Sequence, residues 1–169
     1  MPDALELELI AGELRDQDPN WVRSAELFRG QATIEITPER IRATLDHLRQ
    51  RGYDFLSSVH GVDYFPDEPR LGVHYQLLDM AKTDRIGVKL RVPVADPEVD
   101  SVTAEWPTAN HQEREVYDMF GVVFEGHPDM RRILMPEDYE GHPQRRDFPL
   151  GGEPVLFTHN EPQAPWWWR

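Results

Sequence analysis

The sequence predicts an α+β fold, in which a β-sheet is packed with helices and is followed by an extended, proline-rich C-terminal arm. Strand-like alternation of apolar and polar residues recurs in the middle of the chain, and apolar residues at helical spacing flank it. The last 34 residues contain six prolines and three glycines, which break regular structure. A chain of 169 residues has room for one ordinary core. We therefore place the core domain at residues 1–121 and an arm that docks on partners at residues 122–169.

The amino-terminal segment predicts a helix over residues 4–14. Apolar side chains at helical spacing give it one apolar face: Leu5, Leu9 or Ile10, and Leu14. The alternation of leucine and glutamate in residues 5–9 also fits a strand, but we favour the helix. Residues 21–28 match neither pattern.

A strand and a helix follow in the first third of the chain. Residues 31–36 alternate apolar and polar side chains, as a half-buried strand does. The helix is predicted over residues 38–51, because Thr37 can cap it, Pro38 suits its first position and Gly52 can end it.

Three further strands are predicted in the middle of the chain. Residues 53–64 form the first, which is interrupted at Gly61, and residues 71–78 and 86–94 form the other two. The last two are joined through residues 79–85, and this short connection predicts an antiparallel hairpin.

Two helices are predicted after the strands. Ser101 begins a short helical stretch that Pro107 ends. Asn110 can cap the second helix, with Glu113 completing a capping box three residues later and Gly121 ending the helix.

Two charged pairs on the second of these helices have alternative interpretations. Glu113 and Glu115 are candidates for a general acid/base pair, but their side chains point apart on a helix, so we favour the capping role for Glu113. Arg114 and Asp118 stand four residues apart and are expected to pair on the outside of the helix.

The composition excludes several classes of function. A formal net charge of −13 argues against nucleic acid as the main partner. The absence of cysteine excludes disulfides, a cysteine nucleophile and cysteine-ligated zinc or iron–sulfur clusters on this chain. No apolar run is long enough to span a membrane, and the amino terminus lacks the pattern of a secretory signal. We expect a cytoplasmic protein that is soluble or peripherally bound.

One short phrase, Glu-Gly-His-Pro, occurs at residues 125–128 and again at residues 140–143. The spacing of 15 residues is too short for a structural repeat, so the phrase points to chemistry or to contact with another molecule. One hypothesis is a metal site, since imidazole and carboxylate groups bind zinc and ferrous iron. Its candidate ligands are His127, Asp129, Asp138 and His142.

The alternative is that both histidines are structural and donate to nearby backbone, and we favour it because each precedes a proline in a turn-like phrase. No nucleophile elbow, phosphate-binding glycine loop or dinucleotide fingerprint occurs in the sequence. The spacing of residues therefore indicates neither catalytic residues nor a cofactor site.

The arm carries two pairs of arginines that have two open interpretations. Guanidinium groups suit carboxylates, so these arginines can bind acidic groups of a partner. Alternatively, they balance acidic residues of the arm itself, namely Glu137, Asp138, Glu140 and Asp147. Three adjacent tryptophans near the end favour docking over a free tail. The predicted partner interface is Arg131, Arg132, His142, Arg145, Arg146, Asp147, Phe148, Phe157, Trp166, Trp167 and Trp168.

The residues from 113 to 121, together with those from 127 to 150, resemble the signature of the 30 kDa subunit family of NADH-quinone oxidoreductase. The positions that carry the resemblance are Glu113, Arg114, Glu115, Asp118, Met119, Phe120, His127, Arg131, Ile133 and Leu134. The likeness extends over about residues 38–157 and leaves out the first 30 residues and the tryptophans.

The resemblance implies a mixed β-sheet and a non-catalytic structural subunit in the hydrophilic peripheral arm of a proton-translocating complex I. It implies that the arm wraps the D subunit, which is of the 49 kDa type, with the I subunit nearby. FMN, iron–sulfur clusters, NADH and quinone would belong to other subunits, and none would be bound by this chain. The implied location is the cytoplasmic side of the cell membrane, which the chain contacts only through the complex.

Similar subunits occur in membrane-bound hydrogenases, F420-dependent dehydrogenases and the photosynthetic NDH complex, so the resemblance leaves the electron donor open. It also leaves open which quinone is used and which ion is pumped. The continuation at residues 148–151 favours the bacterial respiratory form. A freestanding metal-dependent enzyme built on His127 and His142 is the second alternative and ranks below these.

Overall fold

The computed structural model describes residues 4–149, and its centre is a five-stranded mixed sheet ordered β1-β2-β5-β4-β3. The strands are β1 (Val22–Phe28), β2 (Gln31–Ile36), β3 (Phe55–Asp63), β4 (Leu71–Asp79), β5 (Asp84–Val92), β6 (Glu98–Asp100) and β7 (Val123–Glu125). The α-helices are α1 (Ala4–Gln17), α2 (Ile41–Gln50) and α3 (Ala109–Phe120). The predicted α+β fold with a mixed sheet is confirmed.

The sheet is mixed because one of its four strand pairs is parallel. Strands β1 and β2 form an antiparallel hairpin, β2 lies parallel to β5, and β5, β4 and β3 continue antiparallel. The hairpin predicted from the connection after residue 78 is β4–β5. Strands β6 and β7 form a separate parallel pair.

The predicted helix at the amino terminus is confirmed, but its predicted apolar face is wrong in part. The residues that face the core are Leu7, Ile10, Ala11 and Leu14, which follow the helical period. Leu5 and Leu9 point outward and are 82 % and 56 % exposed. The leucines of this helix therefore lie on two faces.

The unassigned segment at residues 21–28 is the edge strand β1. Its pairing with β2 shifts register between Val22 and Ser24, and most of its side chains are exposed, so no alternating pattern is visible in the sequence. The next predicted helix begins as a 3-10 turn at Pro38–Arg40 and continues as α2. Thr37 precedes this turn, but its hydroxyl makes no capping hydrogen bond.

The helical stretch predicted to begin at Ser101 is wrong. Ser101 directly follows strand β6, and the chain then forms turns, with one helix-like hydrogen bond from the Trp106 amide to the Val102 carbonyl at 2.8 Å. Val102 and Trp106 are both buried, so packing rather than a regular helix holds this segment.

A single core lies between the sheet and the helices. One alternation of strand residues points into it, including Ile34, Tyr75 and Val88. The core continues past residue 121, since Val122 and Phe124 are buried and β7 pairs with β6. The domain boundary at residue 121 stays a prediction. Between residues 4 and 149 no helix combines the length and apolar character that crossing a bilayer requires.

Gly61 lies within β3 and does not interrupt it, because it makes room for α3. A side chain at this position would overlap the ring of Phe120, which lies over the glycine. The absence of a Cβ at residue 61 therefore lets the end of α3 pack closely on the sheet.

We predict that Gly61→Ala lowers the free energy of unfolding by about 1–3 kcal/mol, because the added methyl group displaces Phe120. Urea denaturation followed by circular dichroism measures this change. Gly12→Ala in α1 is the control. The added Cβ meets nothing within 4 Å, so this substitution should raise the free energy of unfolding by about 0.5–1 kcal/mol. Equal effects of the two substitutions would contradict the close approach of α3.

Candidate docking surface

Helix α3 carries most of the family-like positions and contacts both the core and the arm. Met119 and Phe120 are buried against the sheet, and Glu115 is exposed. Gly121 ends the helix in the left-handed conformation, with φ of 76°, and its amide bonds to the Tyr117 carbonyl at 2.8 Å. The predicted end of this helix is therefore confirmed.

The capping box predicted at the start of α3 is wrong. The helix begins at Ala109, and Glu113 is fully buried beneath the loop after β6. Its carboxyl group accepts hydrogen bonds from the Val102 amide at 2.9 Å and the Ser101 hydroxyl at 2.7 Å. Glu113 thus fastens this loop to α3.

Burial raises the pKa of Glu113 to about 7, although its two hydrogen bonds and the Arg42 guanidinium act in the opposite direction. These favourable contacts are therefore too weak to keep the carboxyl group fully ionised at neutral pH. Glu115 points to solvent, as expected from its position, so the two glutamates do not form an acid/base pair.

Asp118 organises the first part of the arm, and its predicted pairing with Arg114 on the helix surface is wrong. One oxygen of the buried Asp118 carboxylate accepts hydrogen bonds from three successive amides, those of residues 133–135, at 3.1, 2.7 and 2.8 Å. The other oxygen accepts from Arg132 at 2.6 Å. Arg114 instead donates to the carbonyls of Arg131 and Arg132.

The pKa of Asp118 lies below its usual range. Burial alone would raise it, but the three amides and the Arg132 guanidinium together have the larger effect. The carboxylate therefore stays ionised and holds residues 132–135 in a tight turn around itself.

The second part of the arm binds the carbonyl end of α3. Three carbonyls that have no partner within the helix accept hydrogen bonds from the arm. The pairs are His142 Nδ1 with Asp118 at 3.0 Å, the Gln144 amide with Met119 at 3.2 Å, and Arg145 Nε with Phe120 at 2.6 Å. The arm thus acts as the cap of this helix.

A cluster of charges, in which Asp63 and Arg70 are buried, fastens the end of the arm to the sheet. Arg70 makes two hydrogen bonds to Asp63, at 2.7 and 2.6 Å, and two more to Asp147, at 2.8 and 2.7 Å. The Arg146 amide also donates to Asp63 at 2.7 Å. Hydrogen bonds from Arg70 lower the pKa of Asp63 and that of Asp147, so both carboxylates remain charged.

All four predicted interface arginines make hydrogen bonds within the chain. Arg131 pairs with Asp129 at 2.6 Å, and Arg146 Nη1 donates to the Phe65 carbonyl at 3.1 Å. Arg132 and Arg145 bind α3 as described above. Their hydrogen-bond partners among residues 4–149 are Asp129, Asp118 and backbone carbonyls, which differ from the four acidic residues of the arm that the sequence suggested. Whether they also contact another subunit stays a prediction.

The remaining predicted interface residues are partly described. Phe148 is half-buried and stacks on Tyr139, with ring centres 6.2 Å apart. Phe157 and the three tryptophans at residues 166–168 lie outside the described residues.

The two histidines of the repeated phrase do not converge on a metal site. His127 Nδ1 accepts from the Asp129 amide at 3.0 Å, and its Nε2 lies 3.1 Å from the Asn110 carbonyl, so both ring nitrogens are engaged. His142 donates to α3. No group of three or more potential ligands is assembled anywhere in the described part of the chain. The geometry therefore fits the structural interpretation of these histidines.

The arm presents apolar side chains to solvent where its backbone faces inward. Because the amides of residues 133–135 point at Asp118, the side chains of Ile133 and Leu134 are turned away from the body, and Leu134 is 56 % exposed. We call this surface the arm turn (residues 131–136). Exposed apolar side chains on an ordered turn are typical of a docking site.

A family model and individual relatives of this chain point to the same family. A family model described as the respiratory-chain NADH dehydrogenase 30 kDa subunit matches residues 34–154. The C subunit of NADH-quinone oxidoreductase from Roseiflexus castenholzii is 45% identical over 161 residues, covering 94% of this chain and 92% of that protein.

Two solved structures are similar in fold. A trypsin-resistant fragment of Nqo5 has a TM-score of 0.64 and 34% identity, covering 73% of this chain and 98% of the fragment. A chain of the membrane-bound sulfane sulfur reductase, an archaeal respiratory membrane complex, has a TM-score of 0.70 and 25% identity over 85% of each chain.

We predict that Glu113→Gln removes a pH dependence of stability. The folded pKa of about 7 exceeds the ordinary value of 4.5, so the folded state binds more protons between these pH values and its stability falls as pH rises through them. The glutamine oxygen can accept from the Val102 amide, and its NH2 group can donate to the Ser101 hydroxyl, so the variant should be at least as stable as the parent at pH 8.

Denaturation curves at pH 5 and pH 8 test this prediction. Glu113→Ala is the control, because it leaves the Val102 amide unpaired and should cost about 1–3 kcal/mol at both pH values. An identical pH dependence in the parent and the glutamine variant would show that Glu113 does not titrate as described.

We predict that Asp118→Asn releases the arm turn from α3. The amide group replaces an acceptor by a donor and removes the charge opposite Arg132, which should lower stability by about 3 kcal/mol. Hydrogen exchange should become at least about tenfold faster at the amides of residues 133–135. Asp129→Asn, at an exposed ion pair of the same segment, is the control and should leave those amides protected. Unchanged exchange in the Asp118 variant would contradict its anchoring role.

Proposed function

This chain belongs to the family of the respiratory-chain NADH dehydrogenase 30 kDa subunit, and on that premise we propose that it is a non-catalytic structural subunit of a proton-translocating NADH-quinone oxidoreductase. Its role is to brace the peripheral arm of the complex while other subunits transfer electrons from NADH to quinone. The observation that carries this proposal is the arm turn, an apolar surface held in place by the buried Asp118.

The sequence supports a role without electron transfer. With no cysteine, these 169 residues offer no thiolate for an iron–sulfur cluster. The polar groups of the family-like segment bind one another, since Glu113, Asp118 and Arg145 all complete hydrogen bonds inside the chain. We therefore assign FMN, the iron–sulfur clusters, NADH and quinone to other subunits.

The proposed partners are the 49 kDa-type D subunit and the I subunit, together with other subunits of the peripheral arm. The proposed location is the cytoplasmic side of the cell membrane, where the chain is held through the complex. Fixed apolar residues support this docking role, because a surface that is already ordered loses less conformational entropy on binding.

A related complex is the second candidate. The fold similarity to a chain of the membrane-bound sulfane sulfur reductase favours it, since that protein also belongs to a respiratory membrane complex. The higher identity to the Roseiflexus castenholzii protein, 45% against 25%, favours NADH-quinone oxidoreductase.

We predict that Leu134→Asp lowers the yield of assembled complex about tenfold while leaving the isolated chain folded. The residue is exposed and contributes little to the core, so its loss acts on the partner contact. The measurement is recovery of the other subunits with the affinity-tagged chain after co-expression, and then NADH–quinone turnover per assembled complex.

Leu9→Asp is the matched control, because Leu9 is the same residue type with the same 56 % exposure, but it lies on the outer face of α1. It should assemble as the parent does. Equal recovery of the other subunits with both variants would show that the arm turn is not part of the interface. A reduced turnover in the complexes that do assemble would contradict the non-catalytic role.

A further inference from the structure

The second face of the sheet carries no helix of the described residues and is polar. Helices α1 and α2 contribute to the core on one face, and α3 packs on the same face through Phe120 and Gly61. The alternate residues of the central strands, such as His74 and Lys89, point to the other face and are only half-buried. We call this the open face: no helix of residues 4–149 crosses it, and at one end the Tyr64 ring packs over Gly72, with its hydroxyl 2.7 Å from His74 Nε2.

The register of the strands aligns the open-face side chains in rows across the sheet. One row brings together a charged and hydrogen-bonded set: Ser24, Glu35, Lys89, His74 and His60. Lys89 and Glu35 are 3.0 Å apart, and the two imidazole rings stack with centres 5.2 Å apart. The charges of this row are satisfied by one another, so it offers little to a partner.

The row at the end of the sheet differs because its guanidinium group, that of Arg85, has no partner among residues 4–149. It crosses all five strands, and we call it the aromatic row: Phe28, Gln31, Arg85, Leu78 and Phe55. Gln31 and Arg85 directly precede the paired residues Ala32 and Ile86, and Leu78 pairs with both Arg85 and Phe55.

The aromatic row has the composition of a protein interface. Phe28 and Phe55 are 61 % and 45 % exposed at its two ends. Exposed phenylalanine and arginine are enriched where proteins meet. Between the rings lies a depression of about 570 Å³, lined by Arg85 and by polar groups that include His60 and Gln76.

Charge complementarity identifies the kind of partner. The Arg85 guanidinium has no hydrogen-bond or ion-pair partner among residues 4–149, and the Arg29 guanidinium lies over the Phe28 ring at 5.2 Å. The row and its flank thus carry two arginines, and the five row residues include no acidic one, although the chain has a net charge of −13. An unpaired guanidinium beside a polar depression suits a carboxylate.

The spacing of the strands determines how far apart an acidic and an apolar residue must lie in the bound segment. Arg85 and Phe55 are two strands apart, which is about 10 Å. An extended chain in the polyproline II conformation covers this distance in about three residues, and its three residues per turn return the side chain to the same face. A segment with an acidic residue about three positions from an apolar residue would place its carboxylate on Arg85 and its apolar side chain on Phe55.

We propose that the aromatic row binds an extended acidic segment of a neighbouring subunit. This inference rests on the proposed function, since it needs a complex in which the chain has neighbours. It adds a second docking surface, on the opposite face of the sheet from α3 and on a different part of the chain from the arm turn.

The test uses the full chain, co-expressed with the other subunits and carrying the photo-crosslinking residue p-benzoylphenylalanine at position 31, beside Arg85. After irradiation of the purified complex, mass spectrometry should identify one crosslinked peptide from another subunit, with an acidic residue about three positions from an apolar one. Arg85→Glu should lower the crosslink yield about tenfold or more.

Arg15→Glu, at a partly exposed position on α1, is the matched control for the change of charge and should keep the yield within about twofold. Circular dichroism confirms that each variant is folded. Three results overturn the inference while the complex still assembles: no crosslink, a crosslink to residues 150–169 of the same chain, or equal yields for the two charge variants. Failure of the parent chain to assemble would overturn the proposed function itself.

Discussion

The carbonyl end of α3 is the constraint on which the arrangement of the arm depends. A helix leaves its last carbonyls without partners, and a buried helix end needs donors from elsewhere. Here His142, Gln144 and Arg145 supply them. A guanidinium and an imidazole N–H at this end also suit the negative end of the helix dipole. The arm therefore completes α3, and α3 in turn fixes where the arm lies.

Buried carboxylates hold the rest of the arm in this acidic chain. Asp118 and Asp63 each accept backbone amides of the arm as well as a guanidinium. A buried ion pair contributes little net stability when it forms, but removal of one partner leaves an uncompensated charge and is costly. These two carboxylates consequently specify one position of the arm more than they stabilise the fold. That position leaves Ile133 and Leu134 facing outward before any partner arrives.

The sequence predicts the features that depend on neighbours along the chain. The hairpin, the first helix and the end of α3 at Gly121 follow from local periodicity and backbone preference. The roles of Glu113 and Asp118 do not, because each has a plausible local partner three or four residues away while its actual partners lie at residues 101–102 and 132–135. Local pairing is weak on a helix surface, and burial overrides it. The edge strand β1 is not predicted because most of its side chains are exposed, so the sequence shows no alternating pattern there.

The arginines of the arm bind groups within the chain, and this limits which side chains can attract a partner. A guanidinium that already binds a carboxylate or carbonyl offers a partner little further attraction, so affinity at the arm turn must come from apolar side chains. Ile133 and Leu134 cover much less than the roughly 800 Å² that each partner of a stable complex buries. A second surface on the open face, where Arg85 is unpaired among the described residues, adds the missing charge complementarity. Two modest contacts on one rigid body reinforce each other, because binding at the first raises the effective concentration at the second.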